Sequence, residues 1–177
     1  MDYIIKIISV FSLLFLFNSC DPLGEEMCIG GGDKTDLNLV KITPLQLIYN
    51  QGDIINIKLV VPNLSDFGKG PINLFNQTND PSVSVTYGRD LFYSNNVTTI
   101  VTGYNTLYPD LFEMPYIPER DTYELELNIK LNSVGTYSFN STNYLRFQGI
   151  DKCNLYNLTT DIEGTTNLGG KIEFVVQ

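Results

Sequence analysis

The decamer TYELELNIKL at 122–131 constrains the fold more than any other stretch of the chain. Tyr123, Leu125, Leu127, Ile129 and Leu131 alternate there with Glu124, Glu126, Asn128 and Lys130. Successive side chains of a β-strand point to opposite faces, so a period of two predicts a strand with one face in a core and one in water. DIINIKLVV at 53–61 repeats the pattern through Ile55, Ile57, Leu59 and Val61, and Pro62 ends it. The turn sequence YNQGD at 49–53 is expected to join it back to a strand in LQLIY at 45–49. KIEFVVQ closes the chain with Ile172, Phe174 and Val176 in phase. Weaker strands are expected in LNLVKIT (37–43), SVSVTY (82–87), VTTIVT (97–102) and NYLRF (143–147), with a hairpin about Gly88. Segments 63–71 and 149–170 read as loops, and no window shows helical spacing with caps. The chain has no Ala, the best helix former, while β-branched and aromatic residues are plentiful. Short strands between Gly, Pro and Asn clusters predict an all-β sandwich or barrel.

LNSVGTYSF at 131–139, directly after the long alternating strand, narrows that choice. It resembles the corner of immunoglobulin-like domains, where a Gly and then a Tyr open the next strand. The resemblance implies that the Tyr137 hydroxyl bonds back to the backbone and that Phe139 faces the core, in the place of the second cysteine of antibody domains. Gly135 takes the glycine position. The chain has no Trp, and no cysteine at the inter-sheet position, so the sandwich carries over and the antibody-type family does not. The expectation is an Ig-like β-sandwich of about seven to nine antiparallel strands with long loops over 37–177.

The N-terminus sets an expected address. Lys6 precedes an uncharged run from Ile7 to Phe17, eleven residues against the roughly 20 that a membrane-spanning helix needs. It matches the apolar region of an export signal. Ser19 then Cys20 resembles the lipobox of bacterial lipoproteins, although Phe17 and Asn18 stand where the usual pattern has an aliphatic and a small residue. The resemblance implies a signal helix over 1–19, acylation of Cys20 by palmitate-type chains, and attachment to a membrane through that lipid. Residues 20–36 read as a flexible, Gly-containing tether. The expected location is the bacterial cell envelope, at the outer membrane facing the periplasm or the surface. Asp21 bears on the alternative, since some sorting schemes use that residue to hold a lipoprotein at the inner membrane.

Removing the signal takes away one acid and one base, so the formal charge stays at −9. Such a surface, with its bases scattered singly, excludes nucleic acid and anionic head groups as partners. The absence of His excludes Ser–His and Cys–His hydrolases and His-ligated zinc enzymes. Cys28 and Cys153 remain once Cys20 is assigned to lipid, and in an exported protein a pair of this kind is expected to form a disulfide rather than two free thiols.

The segment 103–121 carries Tyr104, Tyr108, Phe112 and Tyr116 at intervals of four. Pro109, Pro115 and Pro118 forbid a continuous helix, so an extended or Ω-like loop is expected. Aromatics on such a loop either stack against sugar rings or anchor a protein partner, or they cap the open end of the core. The neighbouring acids Asp110, Glu113, Glu119 and Asp121 offer the carboxylates that glycoside hydrolysis needs, but in a loop they read as solvated. Asp33 with Asp36, and Asp161 with Glu163, lack the spacing of a calcium loop, and no metal or cofactor is expected. The sequence therefore predicts a non-enzymatic binding or accessory module, held by lipid, whose partner is a glycan or an envelope protein. The alternatives are an assembly subunit that adds edge strands to another sheet, and an inhibitor or immunity-type lipoprotein.

Overall fold

The computed structural model describes residues 30–87, 89–92, 95–101, 108, 110–149, 154–165 and 170–177, which form an all-β sandwich. Its strands are β1 (Gly31–Thr35), β2 (Val40–Thr43), β3 (Ile48–Tyr49), β4 (Ile54–Pro62), β5 (Leu64–Asp66), β6 (Pro71–Asn73) and β7 (Ser82–Thr86). They continue with β8 (Val97–Val101), β9 (Leu111–Ile117), β10 (Thr122–Leu131), β11 (Gly135–Asn140), β12 (Thr142–Phe147), β13 (Leu155–Asp161) and β14 (Lys171–Val176). Two short helices, α1 (Leu74–Thr78) and α2 (Arg89–Phe92), interrupt them.

The two strands that alternate most clearly form the centre of one layer. β10 runs antiparallel to β4 from Thr122 opposite Pro62 to Lys130 opposite Ile54. All five apolar β10 side chains are buried, as are Ile55, Ile57, Leu59 and Val61 of β4, whereas Ile54 at its start is exposed. β2 flanks β4, and β8 flanks the far half of β10. The near half of β10 pairs instead with Tyr116 and Ile117 of β9.

The second layer is built on one long hairpin. β11 and β12 lie in line, separated by Ser141, and β14 and β13 form the returning line. Asn140 faces Lys171 while Thr142 faces Asp161, so residues 162–170 are an insertion in the returning line alone. Ser141 holds the break: its N–H and hydroxyl both donate to the Gly170 carbonyl, at 3.0 and 2.7 Å. β7 lies against β12 and pairs on its other side with β9. β9 thereby ties the layers together, bonded to β7 over Leu111–Pro115 and to β10 beyond. The change of partner falls at Pro115, which has no N–H to offer a ladder.

The layers close on a single core. Tyr123 of one meets Phe147 of the other edge to face at 5.0 Å, and Phe139 stacks on Phe174 at 4.8 Å. The Tyr137 hydroxyl donates to the Ser133 carbonyl at 3.1 Å, the back-bond that the corner motif implied. Chain passage from β2 in the first layer to β3 in the second runs through a cis Thr43–Pro44 bond. It is held by buried Tyr49, whose hydroxyl donates to the Pro44 carbonyl at 2.6 Å and accepts from the Gln46 N–H.

Several local expectations are corrected. SVSVTY does not turn into a hairpin at Gly88, because the chain passes into α2 and β7 takes β9 as its partner. LQLIY contributes only β3, which pairs in parallel with β14 and not with β4. The segments 63–71 and 149–170 contain β5 and β13 respectively, and 103–121 contains β9. Strands lie in parallel at two places, β1 on β13 and β3 on β14, where outer strands join the sheet edge.

The base of the expected tether is also part of the sheet. β1 lies parallel to β13 with Gly31 opposite Leu155 and Thr35 opposite Thr159. The glycines make this possible: a Cβ on Gly31 would strike the Leu155 carbonyl oxygen, and one on Gly32 would sit 2.9 Å from Phe67 Cβ and from its carbonyl oxygen. A Gly run that reads as flexibility is here a device for close approach. The expected signal helix lies outside the described residues, and no helix among the described ones is long and apolar enough to cross a membrane.

Candidate functional site

Cys20, Cys28, Cys153 and Tyr104 lie outside the described residues. The other three aromatics of 103–121 do not gather into a surface. Phe112 is buried among Phe92 and Tyr87, with ring centroids 5.1 and 6.1 Å away. Tyr116 stacks on Phe75 at 4.3 Å and packs against Tyr123. Residues 112 and 116 share a face of β9, and that face turns toward the core. Only Tyr108 of the three stands in solvent, 64% exposed.

Two of the four acids of this region, Glu113 and Asp121, hold the fold. Glu113 accepts from the Ser82 and Ser84 hydroxyls across the β7–β9 pair, at 2.8 and 2.7 Å. Asp121 accepts from the Asn63 amide at 2.6 Å and from the Tyr116 hydroxyl at 2.7 Å. These two bonds, Asn63 first, hold its carboxyl below the usual carboxylate range, and the same carboxylate raises the Tyr116 hydroxyl. Asn63 is fully buried and also accepts from the Phe75 N–H, so one side chain binds the end of β4, the β9–β10 turn and the start of α1. Asp33 accepts from Asn157, Asp36 pairs with Lys34, Asp161 accepts from the Asn38 N–H, and Glu163 lies 3.8 Å from Lys41. No group of three or more potential ligands gathers among the described residues.

A different place has the properties of a site. At the break in the long hairpin is a cleft of about 290 Å³, at the small end of the range for ligand pockets. Thr86 enters it from the end of β7, Asn140, Thr142, Asn143 and Tyr144 from either side of Ser141, and Lys171 from the start of β14. The geometry follows from the insertion. Where β14 gives way to β13 the ladder is interrupted, and the backbone at Ser141 is drawn to Gly170 instead.

Asn143 differs from its neighbours in the lining: on β12 it alternates with Thr142 and Tyr144 and turns its side chain to the core face. It is 3% exposed, and both its amide nitrogen and its amide oxygen are buried without a hydrogen-bond partner. A primary amide offers two donors and two acceptor lone pairs, and leaving a buried polar group unmatched costs about 1–3 kcal/mol. Next to it Tyr144 stands 74% exposed, and Lys171 is 3.8 Å from Asp90. Tyr87, directly after Thr86, is a second side chain buried with an unpartnered polar group, and burial pushes its hydroxyl far above the ordinary tyrosine value. The lining therefore offers amides, hydroxyls, an aromatic face and an ammonium.

Neither Asn143 nor Tyr144 is among the residues the sequence reading picks out. A signal was present in NYLRF: Asn143 has the same phase as Leu145 and Phe147, so alternation alone puts a primary amide on the inward face.

No protein-family model matches the chain, and no curated protein does. Among solved structures, the crystal structure of BslA, a bacterial hydrophobin, is similar at 13% identity and a TM-score of 0.30, covering 70% of this chain and 97% of that one. At that score the likeness bears on neither fold nor role.

Proposed function

We propose that the chain is a lipid-anchored, non-enzymatic binding module of a bacterial cell envelope, and that it takes its partner in the cleft at the hairpin break. One observation carries the binding half of this reading: a cleft at the hairpin break gathers hydroxyl, amide, aromatic and ammonium groups from β7, β11, β12 and β14. Side chains of this kind orient a ligand by hydrogen bonds. The anchoring half rests on the apolar run ending at Ser19–Cys20. It is supported by β1, which fastens the chain to the sheet eleven residues after Cys20 and so keeps the hook close to the body.

The Cys28–Cys153 disulfide belongs to the same proposal. The parallel register sets Gly31 opposite Leu155, so the described residues that flank the two cysteines in sequence meet at one point of the sheet edge. The test of the anchor is Cys20→Ser expressed in a bacterial host. The wild-type chain is expected in the membrane fraction carrying labelled palmitate, and the variant in the soluble fraction without it. A variant that stays with membranes, from a wild type that takes up no label, would reject the anchor. Affinity capture of the anchored protein with its neighbours, comparing wild type with Tyr144→Ala, tests the site. A partner held equally by both would place binding elsewhere.

A further inference from the structure

We infer that the open edge of β3 is a self-association site, where two copies of the chain meet antiparallel with Ile48 of one opposite Ile48 of the other. The site lies at the Val175 end of β14, whereas the cleft lies at the Lys171 end, so it stands or falls apart from the binding-module reading. Three observations converge on a second copy as its occupant.

The first is the backbone. β3 is the last strand of the sheet β11–β14–β3, and no strand pairs with its far side among the described residues. The Leu47 and Tyr49 carbonyls face β14, where they accept from the Val175 and Gln177 N–H groups at 2.9 and 3.0 Å. Backbone groups of successive strand residues point to alternate sides, so the N–H and C=O of Ile48 turn to the open side. Directly opposed residues of an antiparallel pair exchange two hydrogen bonds, and Ile48 facing itself across a two-fold axis satisfies both groups at once. The free edge is short, so the backbone sets the register and the side chains supply the area.

The second is the side chains. Leu47 is 70% exposed and Ile48 58%, and Val175, the register partner of Ile48, is exposed on the same outer face. Pairing about Ile48 makes one aliphatic row from Val175 through both Ile48 side chains to Val175 of the second copy. With Leu45 these side chains present roughly 300–400 Å² of aliphatic surface, the size at which a patch on a single chain marks an interface. That is about half of what each partner of a standard complex buries, and it fits a reversible dimer completed by a polar rim.

The third is charge. No residue between Lys41 and Asp53 is charged, and neither is any in the cross-strand row Thr136, Val175, Ile48. The acid of β14, Glu173, lies one outward row away. Two copies at −9 each repel over most of their surfaces, so an uncharged edge that faces itself is where they can approach. A lipid surface would take the aliphatic side chains but leave the Ile48 N–H and C=O unmatched.

The experiment is oxidative cross-linking of the full chain in expressing cells, read as a disulfide-linked dimer on a non-reducing gel. Ile48→Cys puts two thiols beside the two-fold axis, where directly paired residues have Cα atoms about 5.5 Å apart, within reach of a disulfide. Thr136→Cys, exposed on the same face two strands away, is the control, and the wild-type chain gives the baseline of the native cysteines. Ile48→Cys is expected to link about tenfold faster than Thr136→Cys or more. Adding Val175→Lys, an exposed change that leaves the reacting position alone, should slow it about tenfold by placing two ammoniums on the shared aliphatic row. Equal rates at the two positions, or a rate that Val175→Lys leaves unchanged, overturns the inference. So does a product whose mass is not twice that of the chain, since a different protein would then pair with the edge.

Discussion

Asn143 occupies a position where every neighbour in phase is apolar, Leu145 and Phe147 on its own strand. An unmatched amide there lowers stability. Asn143→Leu, close to isosteric, is expected to raise the unfolding free energy by about 1–3 kcal/mol in urea titrations. An unchanged or lower midpoint would mean that the amide is matched in solution. Asp121 makes the opposite kind of contribution. Its carboxyl is held below its ordinary value by Asn63 and Tyr116, so the folded chain keeps it ionised more readily than the unfolded one. That contribution is complete above the ordinary value of about 3.9 and is lost as pH falls toward the depressed folded one. Wild type should therefore lose stability steeply below about pH 4. Asp121→Asn, which tolerates the residue's positive φ of 53°, should show a shallower acid limb. Parallel acid limbs for the two proteins would show that other carboxylates govern the transition.

At the level of elements, what the sequence discloses depends on whether a strand has a wet face. β10 alternates cleanly because one face is in water, and its buried positions match its apolar ones residue for residue; β4 does the same except at exposed Ile54 and half-buried Val60. The corner motif was equally legible, since a Tyr two residues after a Gly needs only a local back-bond to act. Pairing partners were not legible. β7 and β9 meet across a gap of more than twenty residues, and nothing in SVSVTY distinguishes a distant partner from the next segment in sequence. β1 was hidden for another reason, that glycine signals freedom and close approach with the same letter. Gly31→Ala separates the two meanings. The added methyl would strike the Leu155 carbonyl and meet a φ of +135°, so β1 should detach while the rest of the sandwich stays folded. Limited proteolysis is expected to open new cuts within 30–36, and the melting temperature to fall by about 2–4 °C for each kcal/mol that β1 contributes. Resistance equal to wild type would show that β1 is held by something other than that approach.

For the molecule as a whole, the two layers, the long hairpin and the edge strands bury one continuous core, and the proposed cysteine bridge would clasp it from outside. A bond between Cys28 and Cys153 closes a loop of more than a hundred residues, a constraint worth about 5 kcal/mol in the chain-entropy model. Peptide mapping without reductant is expected to recover one linked pair; two alkylatable thiols in oxidised protein would remove the clasp. The parallel register of β1 has a final consequence, for posture. Gly31 lies at the Leu155 end of β13, whereas the cleft opens at the Asp161 end, beside Thr142. Seven residues of extended chain put about 20 Å between those ends. If the chain is moored through Cys20 as proposed, that opening would lie at the end of β13 away from the mooring.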